Sequence, residues 1–257
     1  MTIALTSYTT FKPEDLKRAA DLAASAVAID PDYGLAHAFL AFARSLIYSF
    51  LVQDDPGEVA LIRTHAERAL HLDPANSLVL AFAAQAFGYI DEPHLALAHA
   101  TRAFQQSPNS FQTCAAMGEV LNRLNRTAEA IEYLDKACRA SKQGVLNIGI
   151  YGWKGIAIMR AGRWAEAEAV EDEILSIHPK INFALMHKAI LCQRDGRTSE
   201  AQVFAQQVRE VDPDISLEIW VLRMSRWHQN SPTLDIILEG LHTVWAESEV
   251  LATGPIL

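Results

Sequence analysis

Apolar residues recur along this chain at the three- and four-residue spacing of helices, in stretches bounded by turn residues. Five of these stretches close with a proline, at Pro31, Pro74, Pro108, Pro179 and Pro213. Because a residue before proline is disfavoured in the helical region, each stretch should end there. The pattern predicts helices at about 14–29, 34–51, 58–72, 76–89, 94–106, 110–123, 127–140, 147–160, 164–177, 181–194, 198–210, 214–226 and 233–246. Asn76, Thr127, Thr198 and Asp214 are the predicted N-caps.

A short motif repeats in step with these helices. It occurs at 125–130 (NRTAEA), 162–167 (GRWAEA) and 196–201 (GRTSEA), with starts 37 and 34 residues apart. Pro74 and Pro108 are also 34 residues apart, as are Pro179 and Pro213. A period near 34 is the signature of stacked helix pairs, in which each pair completes its burial against its neighbours. Such arrays use extended surfaces to bind partners.

These positions resemble the tetratricopeptide-repeat (TPR) family over about residues 13 to 215. The small and bulky positions that mark the family fall in four repeats: Ala83, Ala84, Phe87, Ala96, Ala100, Ala103 and Pro108; Met117, Gly118, Leu121, Ala130, Leu134 and Ala137; Tyr151, Gly155, Ile158, Ala167 and Pro179; and Ala189, Cys192, Ala201, Ala205 and Pro213. Lys142 stands where the second of them should close with proline. The resemblance implies an all-α, right-handed α-solenoid of TPR-like helix pairs with about 12 to 13 helices.

The same resemblance implies a single array over residues 1–257. Irregular N-terminal helices are expected at 13–72, regular repeats at 76–213 and capping helices at 214–250. The last helix has Ile236, Ile237 and Leu241 among acidic residues, so it is apolar on one side and polar on the other. That pattern is typical of a terminal repeat, which must present one polar face to water.

Three segments carry a narrower resemblance. The sequences 11–16 (FKPEDL) and 26–33 (AVAIDPDY), together with the ending 236–241 (IILEGL), are similar to the repeat region beside the effector domain of some bacterial signalling proteins. Those effectors are class III adenylate cyclases or winged-helix transcription regulators, and this chain shows no residues of either. The resemblance implies a detached repeat domain in bacterial signalling.

In TPR proteins the first helix of each pair lines the concave face, so the family register implies a binding groove. The candidate groove residues are Arg44, Gln85, Tyr89, Glu119, Asn122, Arg123, Met159, Arg160, Phe183, Met186, Gln193 and Arg194. Toward Phe183, Met186 and Ile190 the groove turns apolar. That apolar end suits an adaptable peptide site, or else it packs against the terminal helices.

Arginine takes the thirteenth place in four of the first helices, at Arg44, Arg123, Arg160 and Arg194. One interpretation is a cation near a helix C-terminus, which is worth about 0.3–1 kcal/mol through the helix dipole. The other is a ladder that grips carboxylates through bidentate guanidinium contacts. Glu119, Glu129 and Glu166 are near enough in sequence to neutralise such a ladder internally.

No arrangement of residues in the sequence points to catalysis, so we expect no enzyme activity and no cofactor. Gly149, Gly152 and Gly155 are three apart, but no strand precedes them, which favours close helix packing over a phosphate loop. The nine histidines are scattered, so we expect no metal site. The cysteines Cys114, Cys138 and Cys192 are expected to pack as small apolar residues.

Composition narrows the class of partner. The formal net charge is −9 and there is no cluster of basic residues, so direct nucleic-acid binding is not expected. No apolar run reaches the length that crosses a bilayer, and no secretory signal begins the chain, so no membrane association is expected. The odd number of cysteines favours a reducing compartment, and we expect a cytoplasmic location.

The sequence therefore predicts a protein–protein interaction or regulatory scaffold that binds a peptide, a helix or a partner domain in its concave groove. The alternative is a homo-oligomerisation module, such as a homodimer, that brings attached effector domains together.

Overall fold

The computed structural model describes the backbone of residues 13–50, 55–140 and 148–252 and the side chains of 14–50, 55–140 and 148–246. In these ranges the chain is all α, with no strand. The thirteen described helices are α1 (Pro13–Ile29), α2 (Gly34–Phe50), α3 (Pro56–Leu72), α4 (Ser77–Tyr89), α5 (Pro93–Gln106), α6 (Phe111–Arg123), α7 (Thr127–Ala140), α8 (Ile148–Arg160), α9 (Trp164–Ile177), α10 (Asn182–Arg194), α11 (Thr198–Val211), α12 (Leu217–Trp227) and α13 (Leu234–Ala252). The predicted fold class, an all-α solenoid of helix pairs, is confirmed.

Most helix boundaries lie within two residues of the predicted ones, and the main differences are at the C-terminal pair. Asn76 is confirmed as an N-cap, since its side chain accepts from the backbone N–H groups of Leu78 and Val79. The N-caps predicted at Thr198 and Asp214 are wrong. Arg197 holds the cap position of α11, and the Ser216 side chain caps α12 by accepting from the N–H of Ile219.

Contacts divide the chain into two compact units, one ending at Trp153 and the other beginning at Lys154. In the first unit the helix pairs are α2 with α3, α4 with α5, and α6 with α7. The first helix of each pair also packs on the next first helix, α2 on α4 and α4 on α6. In the second unit α10 packs against α9, α11 and α13, and α12 packs on α13.

Small residues let the paired helices approach closely. The alanines at the repeat positions Ala96, Ala103, Ala130, Ala137, Ala167 and Ala201 are all fully buried. Gly118 is tighter still, because a Cβ added there would lie 2.5 Å from Leu134 Cγ and 3.2 Å from the carbonyl oxygen of Ala130. Larger side chains at such positions overpack the helix contact, which explains the small residues of the repeat pattern.

The repeated six-residue motif forms the turn inside each pair. Its first residue, Asn125, Gly162 or Gly196, has a positive φ of 59°, 69° or 74° and follows the first helix as a left-handed cap. Its arginine then pairs with its glutamate three residues later: Arg126 with Glu129, Arg163 with Glu166, and Arg197 with Glu200. These exposed pairs contribute little stability, so the motif chiefly encodes the turn.

No helix in the described ranges is both long enough and apolar enough to span a bilayer. Cys114 and Cys192 are buried, in agreement with the packing role predicted for them.

Candidate functional site

Polar side chains from consecutive first helices form one hydrogen-bonded network in the first unit. Gln112 Nε2 donates to Gln85 Oε1 at 2.6 Å, and Gln85 Nε2 donates to Glu119 Oε1 at 2.8 Å. The hydroxyl of Tyr89 donates to the other carboxylate oxygen, Oε2, at 3.3 Å. Gln85 and Tyr89 therefore both donate to the Glu119 carboxylate, and Gln112 donates to Gln85. Gln85 on α4 and Glu119 on α6 occupy equivalent positions in consecutive repeats, which is why they meet.

Glu119 is a buried acid with an unusual protonation equilibrium. Burial raises its pKa to about 7, against the opposing effects of the Gln85 hydrogen bond, the Arg123 charge and the Tyr89 hydrogen bond. It forms no ion pair with any described residue. A buried charge without a partner is costly, and a carboxyl group in that position holds its proton longer. Burial and the nearby Glu119 also raise the pKa of Tyr89 well above its ordinary value.

Arg123 lies on the aromatic side of this network. Its guanidinium carbon is 4.3 Å from the ring centroid of Tyr89 and 5.4 Å from that of Trp153. Gly88 makes room for it, because a Cβ there would lie 3.3 Å from Arg123 Cδ. One Nη nitrogen of Arg123 and Oδ1 of the buried Asn122 have no hydrogen-bond partner in the described chain. Buried polar atoms of this kind are normally satisfied by water or a ligand.

A recess opens beside this network, and we call it the Glu119 recess. It is lined by the polar and aromatic residues Gln85, Tyr89, Gln112, Glu119 and Trp153 and by the apolar residues Phe42, Leu46, Ala115, Gly149 and Ile150. Its empty volume is about 260 Å³, which includes space open to solvent. That is smaller than the ~300–1,000 Å³ of most small-molecule pockets. The recess is therefore of a size for the tip of one side chain.

In the second unit most of the predicted groove residues are buried, and a C-terminal helix packs on the helix that carries several of them. Phe183, Met186 and Met159 are buried, and α13 packs on α10. A Cβ added at Gly240 of α13 would lie 3.2 Å from Ile190 Cγ2. Of the two interpretations of this apolar stretch, the contact between Gly240 and Ile190 favours packing against the terminal helices.

Arg160 belongs to the same packing. It is 2% exposed, and its Nη1 donates to the carbonyl oxygens of Trp227 at 3.2 Å and Gln229 at 3.1 Å. These carbonyls lie at the end of α12 and just beyond it. The last carbonyl groups of a helix have no N–H partner within the helix, so they need a donor from elsewhere. Arg160 therefore anchors the C-terminus of α12.

The four arginines at the thirteenth position do not act as one set. Arg44 forms an ion pair with Glu58, and Arg194 pairs with the neighbouring Asp195 and stacks over Trp164 at 4.7 Å. With Arg160 bound to backbone carbonyls, the interpretation of a carboxylate-gripping ladder is wrong for these three. Glu129 and Glu166 pair with the arginines of the repeated motif, Arg126 and Arg163, and neutralise none of the four. Arg123 alone has neither an ion pair nor a hydrogen bond to a described residue. Gln193 is half-buried, with one amide oxygen that has no partner.

A second buried polar cluster, in the second unit, was missed by the sequence analysis. His187 Nδ1 lies 2.8 Å from Glu171 Oε1, and His228 lies beside the His187 ring at a centroid distance of 6.3 Å. Burial raises the pKa of Glu171, and burial, with the charges of His187 and Arg160, holds the pKa of His228 well below its ordinary value. Gly155 is needed here, because a Cβ would lie 2.5 Å from Glu171 Oε1.

One histidine pair also escaped the sequence analysis. Nδ1 of His37 lies 2.9 Å from Nδ1 of His65, and burial lowers the pKa of His65 to about 4. The two rings come from α2 and α3, and their residues are 28 apart in sequence. Within the part of the chain that the structure describes, no three metal-ligating residues come together as a metal site.

Similarity to known proteins is visible in structure and not in sequence. No protein-family model and no curated protein matches the sequence. Among solved structures, the chain is similar to TTC0263, a thermophilic TPR protein of Thermus thermophilus, with 20% identity over 66% of this chain and 91% of that one and a TM-score of 0.55. The fold is that of the TPR proteins.

Two further structures agree with this assignment of the TPR fold. PilW, a type IV pilus biogenesis factor, has 19% identity over 86% of this chain and 94% of its own, with a TM-score of 0.59. The Cut9–Hcn1 structure, an APC/C hetero-tetramer, has 14% identity over 83% of this chain and 40% of its own, with a TM-score of 0.63. At such identities the likeness establishes the TPR fold, and function must be argued from the site.

Proposed function

We propose that this chain is a protein-interaction scaffold that binds a peptide, helix or partner domain at the first-helix face of its first unit. The observation that carries the proposal is the convergence of Gln85, Gln112 and Glu119 from neighbouring helices around the Glu119 recess. Hydrogen-bonding groups that converge on an otherwise apolar recess are the usual composition of a specific binding site.

The unmet hydrogen-bonding groups beside the recess support the same proposal. Arg123 presents a guanidinium held flat against Tyr89 and Trp153, and Asn122 adds an amide oxygen without a partner. A backbone carbonyl oxygen of an extended peptide is a matching acceptor for the half-buried Arg123 guanidinium. The stacking on two rings also fixes the Arg123 side chain before any partner arrives, which lowers the entropy cost of binding.

We also place the scaffold in bacterial signalling. This part of the proposal is supported by the similarity of residues 11–16, 26–33 and 236–241 to repeat regions beside bacterial cyclases and winged-helix regulators. An adjacent gene for such an effector, in the same operon or the same reading frame, is the observation that checks it.

Self-association is the alternative. Large apolar side chains such as Leu61 on α3 and Leu95 on α5 are exposed on second helices. Single exposed apolar residues are ordinary on soluble proteins and do not by themselves indicate an interface. Light scattering at several concentrations separates the two functions, because only self-association makes the mass rise with concentration.

A displayed library of random peptides tests the scaffold proposal. Peptides selected on the wild-type protein should lose at least about tenfold in affinity for the variant Gln112→Leu, a loss of about 1.4 kcal/mol. The reason is that Gln112 is both a wall of the recess and the donor that holds Gln85. The matched control is Gln105→Leu, which alters an exposed glutamine on α5. Far-UV circular dichroism confirms that both variants stay folded. Selected peptides that bind Gln112→Leu and the wild type equally would place the binding surface elsewhere.

A further inference from the structure

We propose that the Glu119 recess binds the ammonium group of a lysine side chain from the partner. This inference rests on the proposed function and assigns the chemistry of its central contact. It departs from the expectation of an acidic ligand, because the group at the floor of the recess is itself an acid. The evidence lies in the charge of Glu119, the aromatic and apolar walls, and the size of the recess.

The charge argument is that Glu119 has donors but no cation. Gln85 and Tyr89 each donate one hydrogen bond to it, one on each carboxylate oxygen. A carboxylate has about four acceptor sites, so each oxygen keeps one free. Neutral donors do not cancel the negative charge, and the described residues supply no ion pair to it. A cation in direct contact would offset the cost of burying this charge.

The walls suit an ammonium on an apolar stem. Tyr89 and Trp153, whose ring centroids are 5.9 Å apart, line the recess as aromatic walls, and the Arg123 guanidinium already lies over one face of each ring. Phe42, Leu46 and Ile150 supply apolar surface along which the methylene groups of a lysine can lie. A peptide's amino terminus has no such stem, which favours lysine as the source of the ammonium.

Two other groups near the recess influence this binding. Arg123 lies close enough to lower the pKa of Glu119, and its positive charge opposes a second cation. Its guanidinium is stacked on the rings and makes no contact with the carboxylate as a hydrogen-bond donor, so an ammonium in direct contact has the stronger interaction. Tyr89 keeps its proton, because its pKa is raised well above the ordinary value.

Size separates lysine from arginine. The recess has room for about one water-sized group. An ammonium group is close to that size. A planar guanidinium is larger, and the guanidinium of Arg123 already lies over the rings of Tyr89 and Trp153. A lysine ammonium in this space would find the acceptors of Glu119 at the floor.

The probe is n-butylammonium, which reproduces the lysine side chain, with n-butanol and butyrate as neutral and anionic counterparts. Binding is followed by NMR through the indole N–H of Trp153, assigned with the variant Trp153→Phe. At a pH of about 8.5, n-butylammonium should bind saturably and at least about tenfold more tightly than either counterpart. Glu119→Gln should remove that preference. Glu129→Gln, which neutralises an exposed glutamate on α7, should leave it unchanged.

The same titration at lower pH adds a second test. The probe stays charged throughout, since an alkylammonium titrates near a pH of about 10. Glu119 becomes protonated as the pH falls through about 7, so affinity should fall by at least about tenfold between a pH of about 8.5 and about 5.5. Equal binding of butanol, tighter binding of butyrate, binding that survives Glu119→Gln, or no saturable shift with any probe would overturn the lysine assignment. Selected peptides that still depend on Gln112 would then leave the scaffold proposal standing.

Discussion

Replacing Arg160 with glutamate should unfold the second unit at urea concentrations that the wild-type protein withstands. The change removes two hydrogen bonds to the carbonyl oxygens of Trp227 and Gln229 and places a buried negative charge against them. Leaving an uncompensated charge in a protein interior costs about 3–5 kcal/mol. Urea unfolding followed by tryptophan fluorescence measures the loss, because Trp220, Trp227 and Trp245 all lie in this unit.

Arg194→Glu is the matched control, since Arg194 ends α10 as Arg160 ends α8. Its side chain is exposed and interacts with the adjacent Asp195 and the Trp164 ring, so its reversal should cost about 1 kcal/mol or less. Equal, small losses for the two variants would contradict the anchoring role of Arg160. Charge reversal at Arg123 would test binding, whereas charge reversal at Arg160 tests folding.

Replacing Glu119 with glutamine should stabilise the first unit at high pH and leave it nearly unchanged at low pH. The pKa of Glu119 is about 7 in the folded protein and 4.5 when the side chain is free, so the folded state holds the proton more tightly. Stability linked to that proton is fully present below pH 4.5 and is lost as the pH rises through about 7. At about 1.36 kcal/mol per pKa unit, the ionised carboxylate costs about 3 kcal/mol above that pH.

The measurement is the difference in unfolding free energy between Glu119→Gln and the wild type, from urea titrations at a series of pH values. Taking the difference removes the effect of other titrating groups, including His228 in the second unit. The difference should rise between about pH 4.5 and pH 7 and then level off. Glu129→Gln, at an exposed glutamate, should show no such rise. A pH-independent difference for Glu119→Gln would mean that burial does not raise the pKa of Glu119 in the folded protein.

Local signals made the helices predictable. The prolines and the 34-residue period gave the helix pairs, and the small residues gave the contacts between them. The motif at 125–130, 162–167 and 196–201 indicates a turn in the sequence, because each copy begins with a residue that adopts a positive φ easily. The N-caps of α11 and α12 were less predictable. At α11 a turn arginine holds the cap position, and at α12 two candidate residues, Asp214 and Ser216, stand close together.

The candidate site was predictable only where it follows the repeat register. Gln85, Tyr89 and Glu119 were found because equivalent positions of consecutive first helices lie side by side. Trp153 was missed, since the register of α8 did not count it among the groove positions. The partners of Arg160 lie 67 and 69 residues away in sequence, and no local pattern reports a contact of that range. The Glu171–His187 pair also depends on the space left by Gly155, which only the packed helices reveal.

The most direct measurement is an NMR titration of the protein with a peptide selected on the wild type. If the Glu119 recess is the binding site, the NMR signals of the Trp153 indole N–H and of the Gln85 and Gln112 side-chain amides should shift first and most strongly. The indole signals of Trp220 and Trp245, buried in the second unit, should stay in place. Shifts confined to the second unit, or to exposed residues of α3 and α5 with Trp153 unmoved, would contradict the assignment of this recess as the binding site.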